Sequence, residues 1–176
     1  MDSVTNEVKA MLDPSYTPST PEGPIRFGAK DVMDLTWKNL LDAYTCTECG
    51  RCTSVCPANI TGKLLSPRKI MMDTRDRLME VGKNIDQHKS FQDDGKSLLD
   101  TYITREEIWA CTSCNACVEA CPVMINPLEI ITDLRRFAVM EESQAPASIN
   151  AMFGNIENNG APWKYAQADR ANWKDA

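Results

Sequence analysis

Apolar residues in this chain recur at helical intervals on a polar background, not in the alternation of half-buried strands. Asp34 to Tyr44 reads as a helix, with Leu35, Leu40 and Leu41 available for burial. Ser66-Pro67 is a helix start, a hydroxyl cap followed by proline at the first helical position. Ile70, Met71, Leu78 and Val81 follow on a charged background, and Gly82 is the expected stop. From Gly82 to Asp100 the chain is polar and glycine-interrupted, which predicts an irregular loop. Thr104-Arg105-Glu106-Glu107 is a capping box opening a short helix through Ile108 and Trp109. Asn126-Pro127 opens another, whose apolar face is Leu128, Ile131, Leu134 and Ala138.

The ends are less regular. Val4, Val8, Met11 and Leu12 have helical spacing and predict a frayed terminal helix. Pro14, Pro18, Pro21 and Pro24 then mark an extended arm. From Ser143 onward the pattern loses its period and predicts a tail carrying two tryptophans. The expected organisation is an arm over 1–30, a helical domain over 31–142 and a docking tail over 143–176.

Charge narrows the function. The 176 residues include 25 acidic and 19 basic side chains, a formal net charge of −6. No basic face stands out, so nucleic acid is a poor partner. No stretch approaches the roughly 20 apolar residues of a membrane span. The first dozen residues are charged and lack an apolar signal core, so export is not expected and the compartment reads as cytoplasmic.

The eight cysteines carry the chemistry. They form two runs, Cys46-x-x-Cys49-x-x-Cys52-x-x-x-Cys56-Pro57 and Cys111-x-x-Cys114-x-x-Cys117-x-x-x-Cys121-Pro122. This spacing, with proline following, is the bacterial ferredoxin run for a [4Fe–4S] cluster, and it predicts two clusters. Three thiolates on one tight turn reach three corners of a cube. The fourth cysteine lies past the turn and, in two-cluster proteins, ligates the other cluster. Cys46, Cys49, Cys52 and Cys121 are therefore the expected ligands of the first cluster. Cys111, Cys114, Cys117 and Cys56 are those of the second. Zinc prefers paired cysteines or Cys/His sets, and a disulfide framework needs an oxidising compartment.

Each half thus repeats helix, four-cysteine run, turn and proline-started helix. Tyr44 and Trp109 stand two residues before their runs and are expected to cover the clusters or the adjacent core. About 54 residues separate Cys56 from Cys111 and read as helix plus loop, where compact ferredoxins carry a short strand-rich link. The predicted fold is all-α, a two-cluster ferredoxin-like domain with a pseudo-twofold repeat and extended arms.

Nothing else looks catalytic. There is no Gly-rich phosphate loop, the lone His88 falls in the polar connector, and the scattered methionines read as core filling. In the first run Glu48 and Arg51 nearly cancel, whereas the second adds Glu119. An added anion opposes reduction, so the first site is expected to be the more easily reduced.

Asp34 to Arg136 resembles the two-cluster module of heterodisulfide-reductase-type iron–sulfur proteins, above all their C subunit. It also resembles the matching domain of glycolate-oxidase and lactate-utilisation iron–sulfur subunits. The similarity extends to membrane-linked oxidoreductases that take electrons from electron-transfer flavoprotein. The strings that carry it are Asp34-Leu35-Thr36-Trp37, Cys46-Thr47-Glu48-Cys49-Gly50-Arg51-Cys52, Leu65-Ser66-Pro67-Arg68 and Glu107-Ile108-Trp109-Ala110-Cys111-Thr112-Ser113-Cys114. The segment from Phe153-Gly154-Asn155 to Gly160-Ala161-Pro162-Trp163 resembles the family's Asn/Gly-Pro-Trp segment. Many relatives add a cysteine-rich CCG region, and some have membrane helices before the module; neither is found in these 176 residues. The resemblance implies an electron relay without a catalytic site of its own. Its expected partners are a flavoprotein, a CCG-type subunit and a membrane quinone-reducing subunit at the cytoplasmic face. A freely diffusing ferredoxin and a binding module with structural clusters are the alternatives.

Overall fold

A computed structural model describes residues 2–17 and 26–174; most of the proline-rich arm lies outside them. The chain divides into two compact units, Met1–Glu141 and Glu142–Ala176. Among the described residues there is no strand, only an isolated bridge between Leu99 and Ile103, so the fold is all-α.

In the first unit, α1 (Asp2–Leu12) forms the terminal helix, with Val8, Met11 and Leu12 exposed. A single turn at Val32–Asp34 leads into α2 (Trp37–Thr45). Short helices α3 (Arg51–Ser54) and α4 (Pro57–Ile60) follow the first cysteines. The longest element is α5 (Pro67–His88), capped by the Ser66 hydroxyl as expected. After a tight turn at Leu98–Tyr102 come α6 (Arg105–Ala110), α7 (Ala116–Glu119) and α8 (Pro127–Arg136). Both halves of the Thr104–Glu107 capping box form, and Asn126 caps α8.

The core lies where α5 meets α2 and α8. Ile70, Met71 and Val81 from α5 bury against Ala43, Ile108, Ile130, Ile131 and Leu134. The helix does not stop at Gly82. Glycine inside a helix costs about 1 kcal/mol, and its neighbours Leu78 and Val81 pack on the core, so α5 continues to a left-handed cap at Lys89. What read as loop is therefore partly helix.

Asn39, Thr74, Arg77 and Glu107 are the buried polar side chains among the described residues, and Arg77 is the largest of them. Arg77 is fully enclosed and donates to both carboxylate oxygens of Asp31 at 2.7–3.1 Å, to Asp94 at 2.5 and 3.0 Å, and to the Lys96 carbonyl at 2.9 Å. Asp31 also accepts from the Val32 and Leu98 amides. The guanidinium thus ties the start of the domain, the middle of α5 and the connector together. Gly28 makes a second tie. At φ 79° its Cα lies so close to α8 that an added Cβ would sit 2.3 Å from the Asp133 carbonyl, and the Ala29 amide bonds that same oxygen at 3.0 Å.

The second unit is not the aperiodic tail its sequence suggested. It holds α9 (Ala147–Asn159), closed by left-handed Gly160. The Asn155 and Asn159 amides donate to the Pro162 and Trp163 carbonyls at 3.1 and 3.4 Å, folding the chain back after the helix.

Replacing Arg77 by Ala leaves two carboxylates without their shared cation. It is expected to destabilise the protein by about 3–5 kcal/mol, read from the denaturant midpoint. Arg77, before any other group, holds the Asp94 carboxyl below its ordinary value of 3.8. That contribution is present above the unfolded value and is lost as pH falls through the folded one. Acid unfolding of Arg77→Ala should therefore show a weaker pH dependence below about pH 4 than wild type.

Candidate iron–sulfur site

The two cysteine runs adopt the same local backbone. Two residues after each first cysteine the chain turns left-handed, at Glu48 (φ 56°) and Ser113 (φ 55°). It does so again two residues later, at Gly50 (φ 81°) and Asn115 (φ 63°). Each second left-handed residue caps a four-residue helix, α3 or α7, that carries the third cysteine. Glycine and asparagine are the residues that tolerate this conformation. The loops curl their amides inward. Cys49 accepts from the Arg51 amide, which chiefly keeps its thiol below the usual range. Cys111 accepts from the Ser113 amide at 3.4 Å, and Cys121 from the Ile125 amide at 3.3 Å.

Two adjoining cavities result. The first is lined by Cys46, Cys49, Cys52, Cys117 and Cys121, with Glu48, Arg51, Arg68, Met71 and Val123 among its other walls. The second is lined by Cys56, Cys111, Cys114 and Cys117, with Leu65, Pro67, Leu128 and Ile131. Cys121 thus stands with the first three cysteines of the opposite run, and so does Cys56. Cys117 belongs to the walls of both cavities. Cys56 and Cys117 are buried, whereas Cys49 and Cys114 are exposed at the mouths. Burial pushes the Cys52 thiol up, and it pushes the Cys117 thiol up to about 11, helped by neighbouring thiols.

All eight thiols are free. Among the described residues no three Cys, His, Asp or Glu side chains converge tightly enough to hold a single ion. The donors instead ring a space, and they are thiols throughout, which fits an iron–sulfur cluster: thiolates are its ordinary ligands.

Folding also brings in residues that motif spacing does not reveal. Arg75 on α5 donates to Glu48 of the first loop at 2.6 Å. Arg135 stands at the matching place on α8, eight residues after its proline. It donates to the Ile108 carbonyl at 2.6 and 2.9 Å and to the Cys111 carbonyl at 2.5 Å, and reaches the Ser113 hydroxyl at 3.4 Å. Its guanidinium lies 5.1 Å from the Trp109 ring centre. Each arginine therefore pins the first left-handed residue of its own half's loop, one through a carboxylate and the other through a hydroxyl and carbonyls. Trp109 packs against the core, but Tyr44 at the equivalent offset is 53% exposed, so the two rings do not play matching parts. His88 remains a surface residue bonded to the Asn84 carbonyl.

Residues 45–125 match the 4Fe–4S dicluster domain family. The chain is 34% identical, over 189 aligned positions, to the probable iron-sulfur-binding oxidoreductase FadF of Bacillus subtilis, covering 91% of this chain and 26% of that protein. It is 32% identical to the EtfAB:quinone oxidoreductase of Syntrophomonas wolfei, over 85% of this chain and 24% of that one. It is 30% identical to the C subunit of the ferredoxin/F(420)H(2)-dependent CoB-CoM heterodisulfide reductase of Methanosarcina acetivorans, over 67% of this chain and 60% of that protein. The chain thus spans about a quarter of the first two relatives.

Replacing Gly50 by Asn, as the other half already has, should leave anaerobic stability almost unchanged. Gly50→Val forces a β-branched residue into the left-handed region. It should lower stability by about 1–2 kcal/mol or more, read as earlier loss of visible absorption in denaturant.

Proposed function

From the match of residues 45–125 to the 4Fe–4S dicluster domain family, we propose that the chain holds two [4Fe–4S] clusters and relays single electrons within an oxidoreductase. Cys46, Cys49, Cys52 and Cys121 would ligate one cluster, and Cys111, Cys114, Cys117 and Cys56 the other. When bound, such a cluster takes up and gives back one electron with no atom transferred. The observation that carries this reading is the pair of adjoining cavities, each lined by three cysteines of one run and the fourth of the other.

The residues around the cavities serve that task. The amides of Ser113 and Ile125 donate to the Cys111 and Cys121 sulfurs, and that of Arg51 donates to Cys49, where it favours thiolate over thiol. Met71, Leu65, Leu128 and Ile131 keep water from the inner walls. The shared Cys117 wall keeps the two sites near each other, which favours tunnelling between them without large motion. Cys49 and Cys114 face outward and offer two edges at which partners can exchange electrons.

The donor we propose is a flavin-bearing protein, and the acceptor a CCG-type subunit or a membrane quinone-linked one. These assignments draw on the oxidoreductase relatives, one named for quinone and another for heterodisulfide reduction. Among the described residues no helix is long and apolar enough to cross a membrane. We place the chain at the cytoplasmic face through its partners. The second unit, with Trp163, Tyr165 and Trp173 exposed, would be its docking segment.

Anaerobic purification from the native source should yield about eight irons per chain, as two cubanes require, with a flavoprotein or CCG-type protein attached. Zinc, or a colourless metal-free chain, would sink the proposal. Cys56→Ala should degrade the spectral signature of the second run's cluster more than that of its own. Equal loss, or the reverse, would overturn the crossed ligation.

A further inference from the structure

The two halves match in backbone but not in charge at their mouths. Arg51 and Arg68 line the first cavity, and both side chains are exposed. Five residues into the second run, where the first has Arg51, stands Ala116. One residue after the second helix's proline, where the first has Arg68, stands Leu128, which is buried. Among the described residues no charged side chain lines the second cavity. Neither Arg51 nor Arg68 has a carboxylate within ion-pair reach among the described residues. Glu48, the one acid lining that cavity among the described residues, is already engaged by Arg75. A chain with a net charge of −6 thus keeps beside the exposed Cys49 two cations with no ion-pair partner among the described residues. Val123, 49% exposed on the same wall, adds an apolar contact.

Resting on the relay reading above, we propose that this mouth is the docking face for an acidic redox protein, with Arg51 and Arg68 as its electrostatic contacts. Exposed cations on a chain of net negative charge steer an acidic partner by long-range attraction and fix its orientation on arrival. The other mouth lacks that steering and is left to a partner that docks by other means. One electron crosses at the first mouth. The donor is oxidised by one, the chain is reduced by one, and no bond is made or broken.

The test uses anaerobically prepared, iron-loaded chain and two protein probes, photoreduced flavodoxin as an acidic donor and cytochrome c as a basic acceptor. Reduction by dithionite, followed by paramagnetic resonance, is measured first. Clusters that cannot be reduced in the folded protein would refute the relay itself. In stopped flow, wild type should take electrons from flavodoxin at a rate that falls steeply with salt. Arg51→Gln/Arg68→Gln should be about tenfold slower at low salt, with a flattened salt dependence. Its rate with cytochrome c should stay the same or rise. Arg51 adjoins Cys52, so iron content is checked, and Arg68→Gln alone provides a variant away from the cysteine loop, with a several-fold slowing expected. Flavodoxin rates indifferent to both arginines overturn the docking face while leaving the relay standing. So does equal slowing with both probes, or a larger effect from Glu119→Gln at the second run.

Discussion

Everything in the first unit answers to one geometric demand. Each cysteine run can ring only three sides of a cavity, because its fourth cysteine lies beyond a turn. The missing side has to come from the other run. Cys56 and Cys121 must therefore cross, and the two cavities have to share a wall at Cys117. Neither half can complete its cavity alone, so the repeat is a single structural unit.

That demand explains why the core sits where it does. Helices α5 and α8 follow the runs, each starting with proline behind a polar cap. They pack on each other and bury Ile70, Met71, Ile130, Ile131 and Leu134 directly behind the cavities. Arg75 and Arg135 reach back from them to brace the loops. The apolar packing thereby fixes the separation of thiols that lie far apart in sequence, a separation the loops cannot set by themselves.

Much of this was legible in the sequence because its signals are local. Ser66-Pro67, the Thr104–Glu107 box and Asn126-Pro127 start helices where they stand, since a cap satisfies amides within four residues. The cysteine spacing repeats over only eleven residues, so both loops can be located from it without any knowledge of the packing. Other features were hidden because tertiary packing decides them. Gly82 read as a stop, yet a penalty of about 1 kcal/mol does not outweigh a core-facing stripe on both sides of it. In α9, Ile149, Met152, Phe153 and Ile156 do have helical spacing, but polar and small residues between them masked it. The arginines around the loops lie a dozen residues or more from the cysteines they serve. Glu119 read as an excess negative charge at the second run, but the pattern could not reveal that Arg135 folds back onto the Cys111 carbonyl of that run.

The buried Arg77 clamp has a consequence for the connector between the runs. It fastens Asp94 and the Lys96 carbonyl to α5, so the hairpin beyond it is bounded by fixed ends. Lys89 and Ser90 at its tip are exposed, and the clamp stands between them and the second cysteine run along the chain. The tip is accordingly a natural attachment point, where a fluorophore or a surface anchor could be added without disturbing the cysteine loops.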